Sequence, residues 1–215
     1  SILQGLRTHP DTSSVQRYGC AAIANLVMGD VARKGAVARA GGVHLVVEAL
    51  TLHKADEGVQ LHACRALSNL AAHSVENQVS AAHAGAINAV IATLTAHPQA
   101  ASIQEAAWLA LGFLAGDSNT NRVAIVKAGG VELAIAATQA HKANSKVLAS
   151  AIHALAVLSY KTTQNKVAVV KAGGVDRILA ALRTHEQDAS VQEKACEALA
   201  NLAAGSQKSQ AAIMR

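Results

Sequence analysis

Residues 165–207 read NKVAVVKAGGVDRILAALRTHEQDASVQEKACEALANLAAGSQ, and together they make one structural unit. Asn165–Ala172 predicts a short helix that Gly173-Gly174 ends, as glycine does where a chain leaves a helix through the left-handed region. Val175–His185 predicts a second helix, because its apolar residues at 175, 178, 179 and 182 fall on one face of a 3.6-residue period. A polar turn, Glu186–Ser190, leads into a third helix over Val191–Ala204. There Val191, Ala195, Ala198, Leu199 and Leu202 form one stripe, and Glu193, Glu197 and Asn201 lie on the opposite face. A unit this small cannot bury its own apolar faces. Stacked copies of it can.

The copies are present. The dipeptide that opens the third helix recurs as Val15-Gln16, Val59-Gln60, Ile103-Gln104, Val147-Leu148 and Val191-Gln192, always 44 residues apart. Gly41-Gly42, Gly85-Ala86, Gly129-Gly130 and Gly173-Gly174 keep the same step, and so do His9, His53, His97, His141 and His185. A fixed period of this length without insertions is the signature of a solenoid. The units run over about 1–32, 33–76, 77–120, 121–164, 165–208 and 209–215 of a single array spanning 1–215, the first and last incomplete. Ser1–Pro10 aligns with Arg177–Glu186, and Ala211–Arg215 with Val167–Lys171, so the chain reads as a fragment of a larger protein. Apolar positions around Ile2, Leu3, Leu6 and Ile213 are then expected to lack a neighbour and to favour end-to-end self-association.

Composition agrees with close-packed helices. The 215 residues are 51% hydrophobic yet only 2% aromatic, and 49 of them are alanine. So few aromatic residues argue against a β-sandwich or barrel, and the apolar content argues against disorder. A formal net charge of +5 falls short of the dense basic stripe of a nucleic-acid-binding array. Cys20, Cys64 and Cys196 are odd in number, far apart and set in apolar helical patterns. That usage suits a reducing compartment, so an intracellular site is expected, cytoplasmic first and nuclear second. No stretch of about 18 uncharged apolar residues is present to span a membrane.

VQEKACEALANLA (191–203), VQLHACRALSNLA (59–71) and ENQVSAAHAG (76–85) resemble armadillo repeats, and the resemblance covers the whole chain. It implies an all-α, right-handed superhelical solenoid of about five 44-residue three-helix armadillo units, both ends truncated. HEAT repeats rank second, because they lack the A-G-G bend. The resemblance further implies that the third helices line a concave groove in which asparagine and tryptophan positions hold extended peptides. The asparagine positions are Asn25, Asn69, Phe113, Val157 and Asn201; the tryptophan positions are Ala21, Arg65, Leu109, His153 and Glu197. None of the latter is tryptophan, which argues against nuclear-localisation-signal binding of the importin kind. Trp108 falls one residue early, on the flank.

Catalysis and metal binding find little support. The histidine column sits where each second helix ends and suits capping of the last carbonyls. Copies about 10 Å apart cannot share one ion. The cysteines share a repeat position with Trp108 and Ile152, which reads as a packed flank and not a nucleophile. GDSNTN (116–121) resembles a phosphate loop but lacks the lysine and the preceding strand. No cofactor and no enzyme activity are expected. Arg39, His83, Lys127, Lys171 and Arg215 form a basic column in the last turn of the first helix, open to an acidic partner.

Residues four apart on the third helix share a face. They give Arg17, Ala21 and Asn25, then Leu61, Arg65 and Asn69, then Glu105, Leu109 and Phe113. The last two rungs are Ala149, His153 and Val157, and Glu193, Glu197 and Asn201. This ladder runs from cationic through apolar to anionic. The expected function is therefore a non-catalytic scaffold that binds a protein or an extended peptide in its groove. The alternatives are a self-assembling spacer solenoid and a weakly basic nucleic-acid-binding array.

Overall fold

A computed structural model describes residues 1–214, and Arg215, the last member of the basic column, lies outside them. A second-type helix α1 (Ile2–Thr8) and a third-type helix α2 (Ser13–Val27) come first. Four triplets follow: α3 (Val31–Arg39), α4 (Gly42–Leu52), α5 (Glu57–Ala71); α6 (Val75–His83), α7 (Ala86–Ala96), α8 (Ala101–Ala115). The next two are α9 (Asn119–Lys127), α10 (Gly130–Ala140), α11 (Ser145–Ser159), and α12 (Thr163–Lys171), α13 (Gly174–Thr184), α14 (Ala189–Ala203). A last first-type helix, α15 (Gln207–Ile213), closes the described chain. Each triplet has helices of 9, 11 and 15 residues.

The third helices begin two residues before the valine of the recurring dipeptide, and turn chemistry is the reason. Asp188 Oδ1 accepts from the Ser190 and Val191 amides, and Asp56 and Asn144 do the same for Val59 and Val147. A side-chain oxygen at the N-cap satisfies amides that no helical carbonyl can reach, so the start is set by the cap. The glycine bend behaves as the sequence predicts. Gly41, Gly85, Gly129 and Gly173 all sit at φ between 80° and 86°. The paired helices on either side meet at 70°, 72° and 68° in the first three triplets.

Neighbouring third helices run closest together, second helices are spread apart, and first helices bridge the edge between them. The closely spaced layer is the inner, concave one. Between successive third helices lies the core: Leu67, Leu111 and Leu155 are no more than 1% exposed. Leu199, their counterpart in the last triplet, is only partly buried, and of the expected bare N-terminal positions Leu6 is in fact buried. Among the described residues no single helix is long and apolar enough to cross a membrane.

Candidate functional site: the concave groove

Several columns that invite a functional reading serve the fold. The histidine side chains reach back one unit instead of capping their own helix. His53 Nε2 lies 2.6 Å from the Pro10 carbonyl oxygen, and His97, His141 and His185 make the same contact with Lys54, Pro98 and Lys142. The helix ends at His53, His97 and His185, like that at His9, are capped by the glutamine of the dipeptide, whereas at His141 the glutamine position is Leu148. Gln104 Nε2 donates to the Leu94 and His97 carbonyls, and Gln16, Gln60 and Gln192 repeat the pattern. In GDSNTN, Ser118 caps α9 and Asn121 Nδ2 donates to the Leu114 carbonyl, so this loop is a helix junction.

The cysteine column is core rather than flank: Cys20, Cys64, Trp108 and Ile152 are completely buried. Burial pushes the Cys20 and Cys64 thiols up to about 12, well away from a reactive thiolate. Cys196 is exposed. Arg39, His83, Lys127 and Lys171 are exposed, and among the described residues none of the four enters an ion pair or side-chain hydrogen bond. Also among the described residues, no cluster of three or more His, Cys, Asp or Glu could hold a metal ion.

The ladder residues lie on the inner layer, with varied surroundings. Arg17 and Arg65 are exposed at one end, and the Arg17 guanidinium stands 5.3 Å from the Tyr18 ring. Asn25 is exposed. Asn69 and Asn201 are spent on the solenoid: their Nδ2 atoms donate to the Ala24 and Ala156 carbonyls at 2.9 and 3.0 Å. The side-chain oxygen and one N–H of each remain for a ligand. Glu105, Leu109 and Phe113 are half-buried on α8. At the far end Lys194 Nζ sits 2.8 Å from Glu193 and 3.4 Å from Glu197, so part of the expected negative charge is neutralised in place.

One pocket of about 320 Å³ opens into this groove between α8, α11 and α14. Phe113, Val157 and Asn201, three consecutive asparagine-type positions, line it together with His153 and Glu197 from the tryptophan-type positions. The turns between third and first helices add His73, Asp117 and Tyr160. His73 meets the Phe113 ring edge-on, with centroids 6.0 Å apart. His153 Nδ1 lies 3.4 Å from Glu197 Oε2. Burial holds this imidazole below its ordinary range, and the Glu197 carboxylate opposes that only in part. Gly112 packs closely beside it, where a Cβ would come within 3.3 Å of the His153 ring.

The family model described as LRRK2 ARM repeat matches residues 1–214. The chain belongs to the armadillo-repeat family. No curated protein matches it. Among solved structures this armadillo chain is similar to an engineered protein at 30% identity and TM-score 0.89, covering 99% of this chain and 83% of the other. A designed armadillo repeat protein in complex with the peptide (KR)4 superposes at TM-score 0.85 and 20% identity, covering 99% and 85%. A chain from work on the phosphorylation switch between cadherin and beta-catenin follows at TM-score 0.76 and 19% identity, covering 92% and 36%. At these last identities the likeness is one of armadillo fold.

Spacing along the third helices cannot reveal every wall of the pocket. His73, Gln78, Asp117 and Tyr160 come from turns and a first helix, outside any i, i+4 series. The signal for the turn residues lies instead in the repeat register: positions 29, 73, 117, 161 and 205 hold Gly, His, Asp, Lys and Gly. Glycine at both flanks marks a left-handed position that His73 and Lys161 keep at φ 57° and 51°, whereas Asp117 does not.

Proposed function

We propose that this armadillo chain is a non-catalytic interaction scaffold that holds an extended segment of an intracellular protein along its concave face. The observation that carries the reading is the order of the exposed and half-buried ladder residues: Arg17 and Arg65, then Leu109 and Phe113, then Glu193 and Glu197. Charge of opposite sign at two ends of one groove fixes the register of a polar ligand and speeds its encounter. The matching segment is acidic toward Arg17 and Arg65, apolar over Phe113, and basic toward Glu193 and Glu197. Because Lys194 neutralises part of that last end, the cationic end of the groove contributes more to steering. The three unpaired cysteines support an intracellular location.

A dodecapeptide ordered acidic–apolar–basic tests this, against a control of the same residues with the charges interleaved. Fluorescence anisotropy should show tighter binding of the ordered peptide. Arg65→Glu should slow its association by about tenfold at low salt. Phe113→Ala should raise the dissociation rate by about tenfold or more, as loss of a buried anchor does. Equal affinity for both peptides, or a footprint on the outer second helices, would refute the groove reading.

A further inference from the structure

The first helices line one edge of the solenoid, and each turns outward a face of residues four apart. In the later units that face reads Asn119, Val123, Lys127 and Thr163, Val167, Lys171; in the earlier ones it reads Val31, Gly35, Arg39 and Val75, Val79, His83. The later units show what the head of this face does for the fold. Thr162 Oγ1 donates to Asn119 Oδ1 at 2.8 Å, joining one first helix to the next. Val31 and Val75 stand in the place of Asn119, with Ser74 and Ser118 in the place of Thr162, and a valine cannot accept that bond. Instead Val31 and Val75 are 73% and 53% exposed, and Val79 is 41% exposed. Helix α6 has a first helix on either side, so its open valines do not result from a missing neighbour.

Between α6 and α9 the edge opens into a cleft of about 380 Å³, lined by Val79, Ala82, Ile87 and Ala124 together with His83. Gly35 is a further departure. A helix interior favours alanine over glycine, and the other first helices carry valine there. The bare Cα leaves room for a cation: Arg39 Nη1 lies 3.1 Å from where a Cβ at 35 would stand. The guanidinium therefore folds back along α3 toward Val31. Arg33 on the same helix is held by Asp30 at 2.7 Å. Among the described residues neither Glu48 on α4 nor Glu76 at the start of α6 is ion-paired to Arg39. Beside these two units the second helices open with His44 and Asn88, whereas Glu132 and Asp176 hold that place after Lys127 and Lys171. Open valines and an unanswered cation thus coincide in one half of the edge.

We infer that the edge formed by α3 and α6 is a second docking surface, separate from the groove, and that it takes an acidic amphipathic helix of a partner protein. Successive first helices stand about 10 Å apart, which is about the rise of seven residues of α-helix. A partner helix laid across them sets apolar residues i and i+7 on Val31 and Val75. A third at i+11, about 16 Å along and on the same face, enters the cleft beyond Val79. Carboxylates on the flank toward the helix ends meet Arg39, with His83 beside it; charge of opposite sign fixes the orientation. A lipid surface would ask for a cluster of four or more lysines and arginines, and this half of the edge offers one free guanidinium.

The probe is a helical peptide of about 20 residues with leucine at i, i+7 and i+11 and glutamate along one flank. Two controls carry glutamine or lysine in place of glutamate. Titrated into the isotope-labelled chain and followed by NMR, the glutamate peptide should shift Val31, Val75, Val79 and Arg39 with a Kd of about 10–100 μM. It should bind at least about fivefold more tightly than the glutamine control. Arg39→Glu should remove that preference and favour the lysine control. Val31→Asn combined with Val75→Asn restores the residue type of position 119, so the urea midpoint should hold or rise while binding falls at least about tenfold. A purely structural role would not separate the two readouts. Arg65→Glu, in the groove, should leave this binding unchanged. No shift on the edge at millimolar peptide, equal binding of all three peptides, an unaffected asparagine double variant, or a footprint on the third helices would overturn the inference. So would retention of the chain by phosphatidylserine vesicles, lost in Arg39→Glu, without peptide binding, since that assigns the edge to a lipid surface.

Discussion

Replacing Gly130 by alanine probes how tightly each bend is packed, and the chain carries its own control. Ile125 on α9 faces Gly130 at the start of α10, and Val37–Gly42 and Val169–Gly174 are equivalent pairs. In the remaining triplet both partners are alanine, Ala81 and Ala86. A Cβ at 130 would lie 2.6 Å from Ile125 Cγ2 and 2.9 Å from Ile125 O, below the 3.4 Å at which ordinary contact begins. Ile125 is completely buried and has nowhere to retreat. Overpacking of this kind costs about 1–3 kcal/mol, and the lower entropy of the unfolded alanine chain returns about 0.4–1 kcal/mol. Gly130→Ala should therefore destabilise by about 0.5–2 kcal/mol. Ile125→Ala should cost about 2–5 kcal/mol through the hole it leaves. Combined, the two recreate the Ala81–Ala86 arrangement, and the new methyl occupies part of that hole. The double variant should be about 1–2 kcal/mol more stable than the sum of the singles predicts. Urea titration followed by circular dichroism and by Trp108 fluorescence measures this, provided the slope m stays constant across the four proteins. A neutral or stabilising Gly130→Ala, or effects additive within about 0.5 kcal/mol, would refute the packing argument.

Truncation of Leu111 to alanine should cost about 2–5 kcal/mol, whereas the same change at partly buried Leu199 should cost clearly less; urea midpoints of the two variants decide this. Acid should weaken the fold before any carboxylate is protonated. Burial lowers the pKa of His62 and His153, so near pH 6 the unfolded chain binds more protons than the folded one. The stability they contribute is complete above the ordinary imidazole value of about 6.5 and is lost as pH falls from there through the folded values. The urea midpoint should drop between pH 7.5 and 5.5, and less steeply in His153→Gln; an unchanged slope would refute the assignment.

The ladder shows where sequence reading stops. Spacing of four residues places Arg65 and Asn69, or Glu197 and Asn201, on one helix face, because a helix repeats locally. It says nothing about what the neighbouring unit offers that face. Asn69 and Asn201 find carbonyls 45 residues earlier, and His53 finds one 43 residues earlier instead of the end of its own helix. Helix starts were displaced for a more local reason: Asp56, Asn144 and Asp188 act as caps three residues upstream of the valine that the apolar pattern marks.

Sequence by itself determined the array of three-helix armadillo units and the glycine bends. Both follow from interactions within a few residues, and a 44-residue period repeats them. Only the tertiary structure decided which polar groups hold the solenoid together and which are left for a ligand. It also decided that His73, Phe113, Asp117, His153 and Glu197, drawn from four units, surround one pocket. That convergence depends on the rotation from one unit to the next, a quantity set by packing across the whole stack and written in no single repeat.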